Sequence, residues 1–271
     1  MRRVAIIDGD IICHDAADLH WRKKVSQWEL HGLNIAPLKG LGYVPGYDYT
    51  TDLAMQEKCW ATFLEMLEAA VEASYCTEYV MAVKDGKSYR DVIYPQYKLK
   101  RGKYNVHNPF VEYLRKRAIK EDLALGATGK EADDLVRTWA TECKEHGIEF
   151  VVGTIDKDLR CIEGTHYHLS KKELSKVSKE EGMWLYYAQL LSGDPTDHIP
   201  GLPGIGPVKA QKAIAGTEED CQEAVVAMYL EAYGDDWESH LLSNGKMIYI
   251  QEHWNAHFTI REWPIVKELR G

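Results

Sequence analysis

The sequence contains no apolar run approaching the roughly 18 residues needed to span a membrane as a helix. Its six cysteines (Cys13, Cys59, Cys76, Cys143, Cys161 and Cys221) include no Cys-x-x-Cys pair, so no zinc site is expected. They read instead as reduced thiols, mostly core filler, in a cytoplasmic protein. A leader is not expected either: after Arg2 and Arg3 the apolar run is only Val4–Ile7 and ends at Asp8, the pattern of a strand. No internal repeat or low-complexity tract is evident. Positive charge is also short, with a net charge of −9 that argues against a nucleic-acid binder until the charge is mapped. What remains, 45% hydrophobic and 28% charged residues in 271, is the composition of a soluble globular protein with one large domain or a large domain and an appendage.

Mapping changes the reading. Residues 84–120 hold eleven Lys and Arg against three acids, net +8, which leaves −17 on the rest of the chain. Such asymmetry suits a basic contact surface beside an acidic pocket, although a solvated helix face has the same composition.

Apolar spacing predicts an α/β protein. Val4–Ile7, Tyr79–Val83 and Glu149–Ile155 read as short buried strands. Helices are expected over Asp52–Glu72, Phe110–Lys120 behind the Asn108-Pro109 cap, Asp133–Glu145, Gly182–Leu191 and Val208–Ala215, with a mostly helical tail. Residues 19–51, rich in Trp, Gly, Pro and Tyr, show no clean period and read as an irregular insertion without chemistry. Alternating strands and helices imply a mostly parallel sheet flanked by helices, with its functional edge at the carboxyl ends of the strands.

All three predicted strands deliver acids to that edge. The candidates are Asp8, Asp85, Glu131, Asp133, Asp134, Asp156, Asp158, Asp194 and Asp197. Carboxylates gathered in one cleft need a compensating cation, and hard oxygen donors suit Mg²⁺ or Mn²⁺. Two such ions about 3.5–4 Å apart stabilise the attacking and leaving oxygens of phosphodiester hydrolysis. Taken singly the acids have plainer readings. Asp8 is also a turn residue, Glu131 also fits a capping box with Thr128, and Asp156 and Asp158 are also helix caps. If extended geometry persists past the third strand, Asp156 and Asp158 point the same way.

Residues 199–210, Ile-Pro-Gly-Leu-Pro-Gly-Ile-Gly-Pro-Val-Lys-Ala, have the form of a helix–hairpin–helix. Gly204 and Gly206 would let amide N–H groups approach a phosphate at a helix start, and Lys209 adds charge from the first turn. Recognition of that kind reads the DNA backbone rather than the bases. A loop that merely turns two helices is the plainer alternative.

These motifs, in this order, resemble the flap endonuclease/5′-3′ exonuclease family. The string Gly193-Asp-Pro-Thr-Asp197-His-Ile-Pro-Gly-Leu-Pro-Gly-Ile-Gly206 follows Glu131-Ala-Asp-Asp134 and Thr154-Ile-Asp-Lys-Asp158. Asp8 in Ile-Asp-Gly, Asp85 in Val-Lys-Asp-Gly, Ser88-Tyr-Arg90 and Tyr97-Lys98-Leu-Lys-Arg101 complete the match over about 1–18 and 80–215. Absence of an attached polymerase, and loose similarity around Gly245-Lys246-Met247, suggest a short phage-type exonuclease. The resemblance implies a PIN-like catalytic domain over 1–181, with a basic arch at about 86–120, and a helix-three-turn-helix DNA-binding region over 182–271. It implies two Mg²⁺ or Mn²⁺ ions, the first held by Asp8, Asp85, Glu131 and Asp133, the second by Asp134, Asp156, Asp158, Asp194 and Asp197. It places Lys98 and Arg101 on an arch helix against the scissile phosphate, Tyr97 stacked on a base, and K⁺ at the hairpin. His198 departs from the family's usual Asn, and the arch is short.

The implied activity is metal-dependent cleavage of DNA at or near 5′ ends, giving 5′-phosphates, in RNA-primer removal or DNA breakdown. The implied enzyme is a monomer in the host cytoplasm, acting on DNA and on RNA–DNA hybrids. Two other readings stay open: a non-catalytic DNA-end-binding module, and a Mg²⁺-dependent small-molecule phosphatase suggested by Ile7-Asp-Gly-Asp10. The phosphatase reading gives no reason for the hairpin or for the basic segment.

Overall fold

A computed structural model describes residues 2–32, 34–38, 44–98 and 108–270. In chain order its elements are β1 (Arg3–Asp8), α1 (Gly9–Leu30), α2 (Leu53–Ala73), β2 (Glu78–Ser88), α3 (Tyr89–Ile93), α4 (Pro109–Lys120), β3 (Leu125–Gly129), α5 (Ala132–Glu145) and β4 (Glu149–Thr154). There follow β5 (Gly164–His168), β6 (Glu173–Val177), α6 (Lys179–Ser192), β7 (Gly193–Asp194), β8 (Ile199–Pro200), α7 (Pro207–Ala213), α8 (Glu218–Tyr233), α9 (Trp237–Ile248) and α10 (Pro264–Arg270). No helix among the described residues is long and apolar enough to cross a membrane.

The chain forms two compact units. The first comprises Met1–Ser88, Lys100–Ile155 and His166–Leu174; the second comprises Tyr89–Leu99, Asp156–Thr165 and Ser175–Gly271. The main sheet has the order β3-β2-β1-β4-β5-β6, with β1 parallel to both β2 and β4, and β2 parallel to β3. The expected mostly parallel sheet flanked by helices is therefore present. Strand β1 is buried from Val4 to Asp8, as a central parallel strand must be. Ala5 and Ile7 join a core with Phe63 of α2, Leu114 of α4 and Ala16 of α1. The alternate residues Val4 and Ile6 face the other way, where α5 packs on β1, β2 and β4.

Residues 19–30 are not an irregular insertion; they continue α1. Its buried stripe is Ile12, Cys13, Ala16, Ala17, Trp21 and Val25, in which Cys and Ala carry little apolar signal between charged neighbours. The segment after it is tied down by aromatic packing. Trp21 lies 5.4 Å from Trp28, 5.6 Å from Tyr47 and 5.9 Å from Phe110, ring centre to ring centre. Asp52 caps α2 by accepting from the Met55 N–H at 3.2 Å, and also accepts from Lys24 Nζ at 2.7 Å and Tyr47 Oη at 2.8 Å. Asn108 caps α4, with Pro109 in the first turn, as the sequence predicts.

In the second unit α6 begins earlier than predicted, because Ser178 and Glu181 form a capping box at 3.1 and 3.0 Å. The tail is helical as expected, with α8 capped by Thr217 and Asp220. A core of Leu190, Leu191, Val225, Tyr229, Leu241 and Val266 joins α6, α8, α9 and α10.

Candidate active site

In the first unit the parallel register brings acids to the carboxyl edge of the sheet. Asp8 ends β1, is buried, and accepts from Thr154 Oγ1 of β4 at 3.1 Å. Strand β2 runs on to Ser88, so Asp85 lies inside the strand rather than beyond its end, paired with Thr128 of β3. Thr128 donates to Asp85 Oδ2 at 2.8 Å, and is thus engaged across the sheet instead of capping α5. The cap of α5 is Glu131 itself, whose N–H donates to Asp134 Oδ2 at 3.0 Å. Asp134, expected with the second acid set, is fully buried in the first unit at the start of α5. Asp133 sits in that same first turn, where the helix dipole favours negative charge.

Asp10, which is not among the candidate acids, is a polar hub. Its Oδ1 accepts from the Lys84 N–H at 2.9 Å and from Arg115 Nε at 2.8 Å, tying α1 to β2 and α4. Its place two residues after Asp8 was the available signal.

The second unit holds the remaining acids. Strand β4 ends at Thr154, so extended geometry does not persist to Asp158. The chain turns instead, with Lys157 at φ −65° and ψ −28°, and the Asp158 N–H donating to Asp156 Oδ1 at 2.8 Å. Asp158 Oδ1 accepts from Gln189 Nε2 of α6 at 2.6 Å. Burial, then the negative charges of Asp156 and Asp194, push the Asp158 carboxyl up to about 6, against the pull of Lys157 and Gln189. Asp194 is buried too, which alone would raise it. The Thr196 N–H, the Lys157 ammonium and the Asp197 N–H outweigh burial and hold it below the usual carboxylate range. Lys157 Nζ stands 3.7 Å from Asp194 Oδ2. Gln189 belongs to none of the sequence motifs, and Lys157 stands in one only as the residue between two acids, with no role of its own.

Asp194 and Asp197 are placed by a backbone hairpin. Gly193 ends α6 at φ +64°, and a β-carbon there would collide with the Ile199 carbonyl across the β7–β8 pair. His198 has a left-handed φ of +61°, a region in which Asn and His are both enriched, so this departure from the family's Asn keeps the turn. Beyond β8, Gly204 is also left-handed at φ +73°, with open space where a side chain would point. Gly206 caps α7, Pro207 opens it, and Lys209 Nζ donates to the Gly204 carbonyl at 2.9 Å.

Lys98 is not on an arch helix. Helix α3 ends at Ile93, and Lys98 closes a turn with φ +54°. Its N–H donates to the Asp197 carbonyl at 3.1 Å, its ammonium lies 3.6 Å from Asp197 Oδ2, and it sits over the Tyr97 ring at 4.6 Å. Tyr97 itself is packed in the core of the second unit, so stacking on a base would require its ring to leave that core. Arg101, with the rest of residues 99–107 of the expected arch, falls outside the described residues. Arg90, named in the motif but given no role, is fully buried. It donates from Nε to the Met247 carbonyl at 3.0 Å and from Nη2 to the Tyr249 carbonyl at 2.6 Å.

Among the described residues, no three acids, histidines or cysteines are gathered as a closed metal-ligand set. The donors nonetheless fit a hard divalent cation. They are all carboxylates, and in the second unit their crowding already disfavours ionisation of Asp158, a cost that a bound cation relieves.

Residues 45–186, just over half of the chain, match the family model described as the 5′-3′ exonuclease N-terminal resolvase-like domain. The chain belongs to the flap endonuclease/5′-3′ exonuclease family. Among curated relatives, DNA polymerase I of Thermus thermophilus is 30% identical over 51% of this chain and 18% of its own length. DNA polymerase I of Mycobacterium tuberculosis is 33% identical over 48% of this chain and 16% of its own. The chain therefore spans less than a fifth of these relatives. Among solved structures, the 5′-exonuclease of phage T5 with bound zinc has a TM-score of 0.52 at 14% identity, covering 91% of this chain and 89% of that one. A T5 flap endonuclease solved with DNA and metal ions has a TM-score of 0.50 at 13% identity, covering 90% and 99%. At such identities these two establish the exonuclease fold.

Proposed function

We propose that this family member is a divalent-metal-dependent nuclease that hydrolyses DNA at or near 5′ ends, leaving a 5′-phosphate and a 3′-hydroxyl. The observation that carries the reading is the acid-crowded turn at Asp158, whose N–H donates to Asp156 Oδ1 and whose half-buried carboxyl is pushed up by burial and by the charges of Asp156 and Asp194, charge crowding that calls for a cation. Asp8, Asp85, Glu131 and Asp133 would hold one Mg²⁺ or Mn²⁺ ion; Asp156, Asp158, Asp194 and Asp197 would hold a second. When bound, such ions acidify water and neutralise phosphate charge. Thr154 and Thr128 orient Asp8 and Asp85, and Gln189 orients Asp158. Lys98, with Arg101, is assigned to charge developing on the scissile phosphate. The Gly204–Lys209 turn is assigned to the duplex backbone, with K⁺ as its candidate ion.

The finer assignments rest on the same reading. They are Mg²⁺ as the working ion, residues 1–181 as catalytic and 182–271 as DNA-binding, action on RNA–DNA hybrids, a monomeric state, and primer removal in phage replication within the host cytoplasm. The test is gel analysis of 5′-labelled and 3′-labelled duplex, nicked and flapped substrates in Mg²⁺ and in EDTA. Products shortened from the 5′ end in Mg²⁺ alone support the reading. Retention of DNA ends without cleavage in either condition replaces it with an end-binding module.

A further inference from the structure

Two lysine ammoniums of the second unit stand against the two buried carboxylates of the hairpin. Lys98 Nζ is 3.6 Å from Asp197 Oδ2, and Lys157 Nζ is 3.7 Å from Asp194 Oδ2. The pairs are not equivalent. The Lys157 side chain is 66% exposed and solvent-screened, whereas that of Lys98 is 22% exposed against an Asp197 side chain at 9%. Lys98 is also fixed at its backbone, which accepts a left-handed φ of +54° to donate to the Asp197 carbonyl at 3.1 Å. The buried ring of Tyr97 supports its ammonium from 4.6 Å.

A lysine assigned to a phosphate is ill placed when tied to a buried carboxylate, and a carboxylate assigned to a dication binds it less well beside an ammonium. Both conflicts resolve if the lysine keeps the cation's place. We propose that Lys98 is the resident counter-ion of Asp197, displaced when a divalent ion enters and thereby freed for the phosphate. The inference rests on the reading of Asp194 and Asp197 as metal-binding residues. No bond is made or broken: a single positive charge leaves the carboxylate and a double one arrives. Lys98 lies in a turn rather than in a helix or strand, so a change of side-chain rotamer suffices. Because the coupling is reciprocal, whatever holds Lys98 on Asp197 weakens the ion, and the ion drives Lys98 away. Metal loading and delivery of the phosphate-binding lysine then become one event, and a chain without its ion does not present the lysine.

The exchange is tested on the full-length protein without DNA, by two readouts that require no catalysis. Calorimetric titration with Mn²⁺ is expected to give about fivefold or tighter binding to Lys98→Gln than to wild type, and no gain for Lys98→Arg, which keeps the competing charge. In the wild type, acylation of lysines by an N-hydroxysuccinimide ester, read by peptide mass spectrometry, should rise at Lys98 when Mn²⁺ is added. Exposed Lys58 of α2 serves as the unresponsive control. Equal or weaker Mn²⁺ binding by Lys98→Gln, or Lys98 acylation unchanged by Mn²⁺, overturns the exchange while leaving the metal assignment standing. Failure of the wild-type protein to bind Mn²⁺ at all removes the metal assignment, and the exchange falls with it.

Discussion

Arg90 closes the end of α9 by donating from Nε to the Met247 carbonyl at 3.0 Å and from Nη2 to the Tyr249 carbonyl at 2.6 Å. The last carbonyls of a helix have no partner within it, and a buried guanidinium fork supplies two donors in fixed geometry. Arg90 also stacks on Tyr89, 4.6 Å away. Its residue partners within the second unit thus lie almost 160 positions along the chain, and the short helix α3 leading toward Tyr97 and Lys98 is held by them.

Replacing Arg90 by Ala should therefore destabilise the protein by about 2–4 kcal/mol, since buried carbonyls lose charged donors. Lys at this position should recover less than half of the loss, because an ammonium cannot reproduce the fork. Urea midpoints of the three proteins check this; a Lys variant as stable as wild type would refute the bidentate account.

Asp10 and Asp8 should separate cleanly. Asp10→Asn weakens a half-buried ion pair with Arg115 and should lower stability by about 1–3 kcal/mol while leaving Mn²⁺ affinity unchanged. Asp8→Asn should instead lower Mn²⁺ affinity at little cost in stability. Thermal melts and calorimetry on both variants decide the matter, and a loss of Mn²⁺ affinity in Asp10→Asn would move it into the metal-binding set.

Lys209 reaches back to the Gly204 carbonyl across the turn assigned to the DNA backbone. If that assignment holds, Lys209→Ala weakens binding of unrelated duplex sequences by similar factors and reduces the dependence of log affinity on log salt by about one unit. Gly204→Ala places a β-carbon in open space but at φ +73°, so its cost of about 1–2 kcal/mol is backbone strain. Binding isotherms at several salt concentrations test the first claim, and a salt slope unchanged in Lys209→Ala would contradict it.

Much of this arrangement was legible in the sequence, for identifiable reasons. Helix α2 shows a full apolar stripe, α4 has the Asn108-Pro109 cap, and β1 and β4 are short apolar runs ending near acids. The second half of α1 was not legible, because its buried face holds only Trp21 and Val25 among charged and polar neighbours. Strand β3, Leu-Gly-Ala-Thr-Gly, carries neither an apolar run nor alternation, and is a strand because β2 templates it. Acids at strand ends could be identified from the chain, but their donors could not. Thr154, Thr128 and Gln189 approach Asp8, Asp85 and Asp158 only through tertiary structure. The turn that separates Asp156 from Asp158 was likewise hidden, since a two-residue spacing is compatible with both a strand and a capped turn.

The metal-dependent reading of the acid set is tested most directly by cleavage of a 5′-labelled nicked duplex with wild type and with Asp156→Asn/Asp158→Asn, in Mg²⁺ and, for binding, in Ca²⁺. The double variant should lose at least about a thousandfold in cleavage rate, about 4 kcal/mol of transition-state stabilisation, while its affinity for DNA in Ca²⁺ stays close to that of the parent protein. Cleavage at the wild-type rate by the double variant would contradict the account.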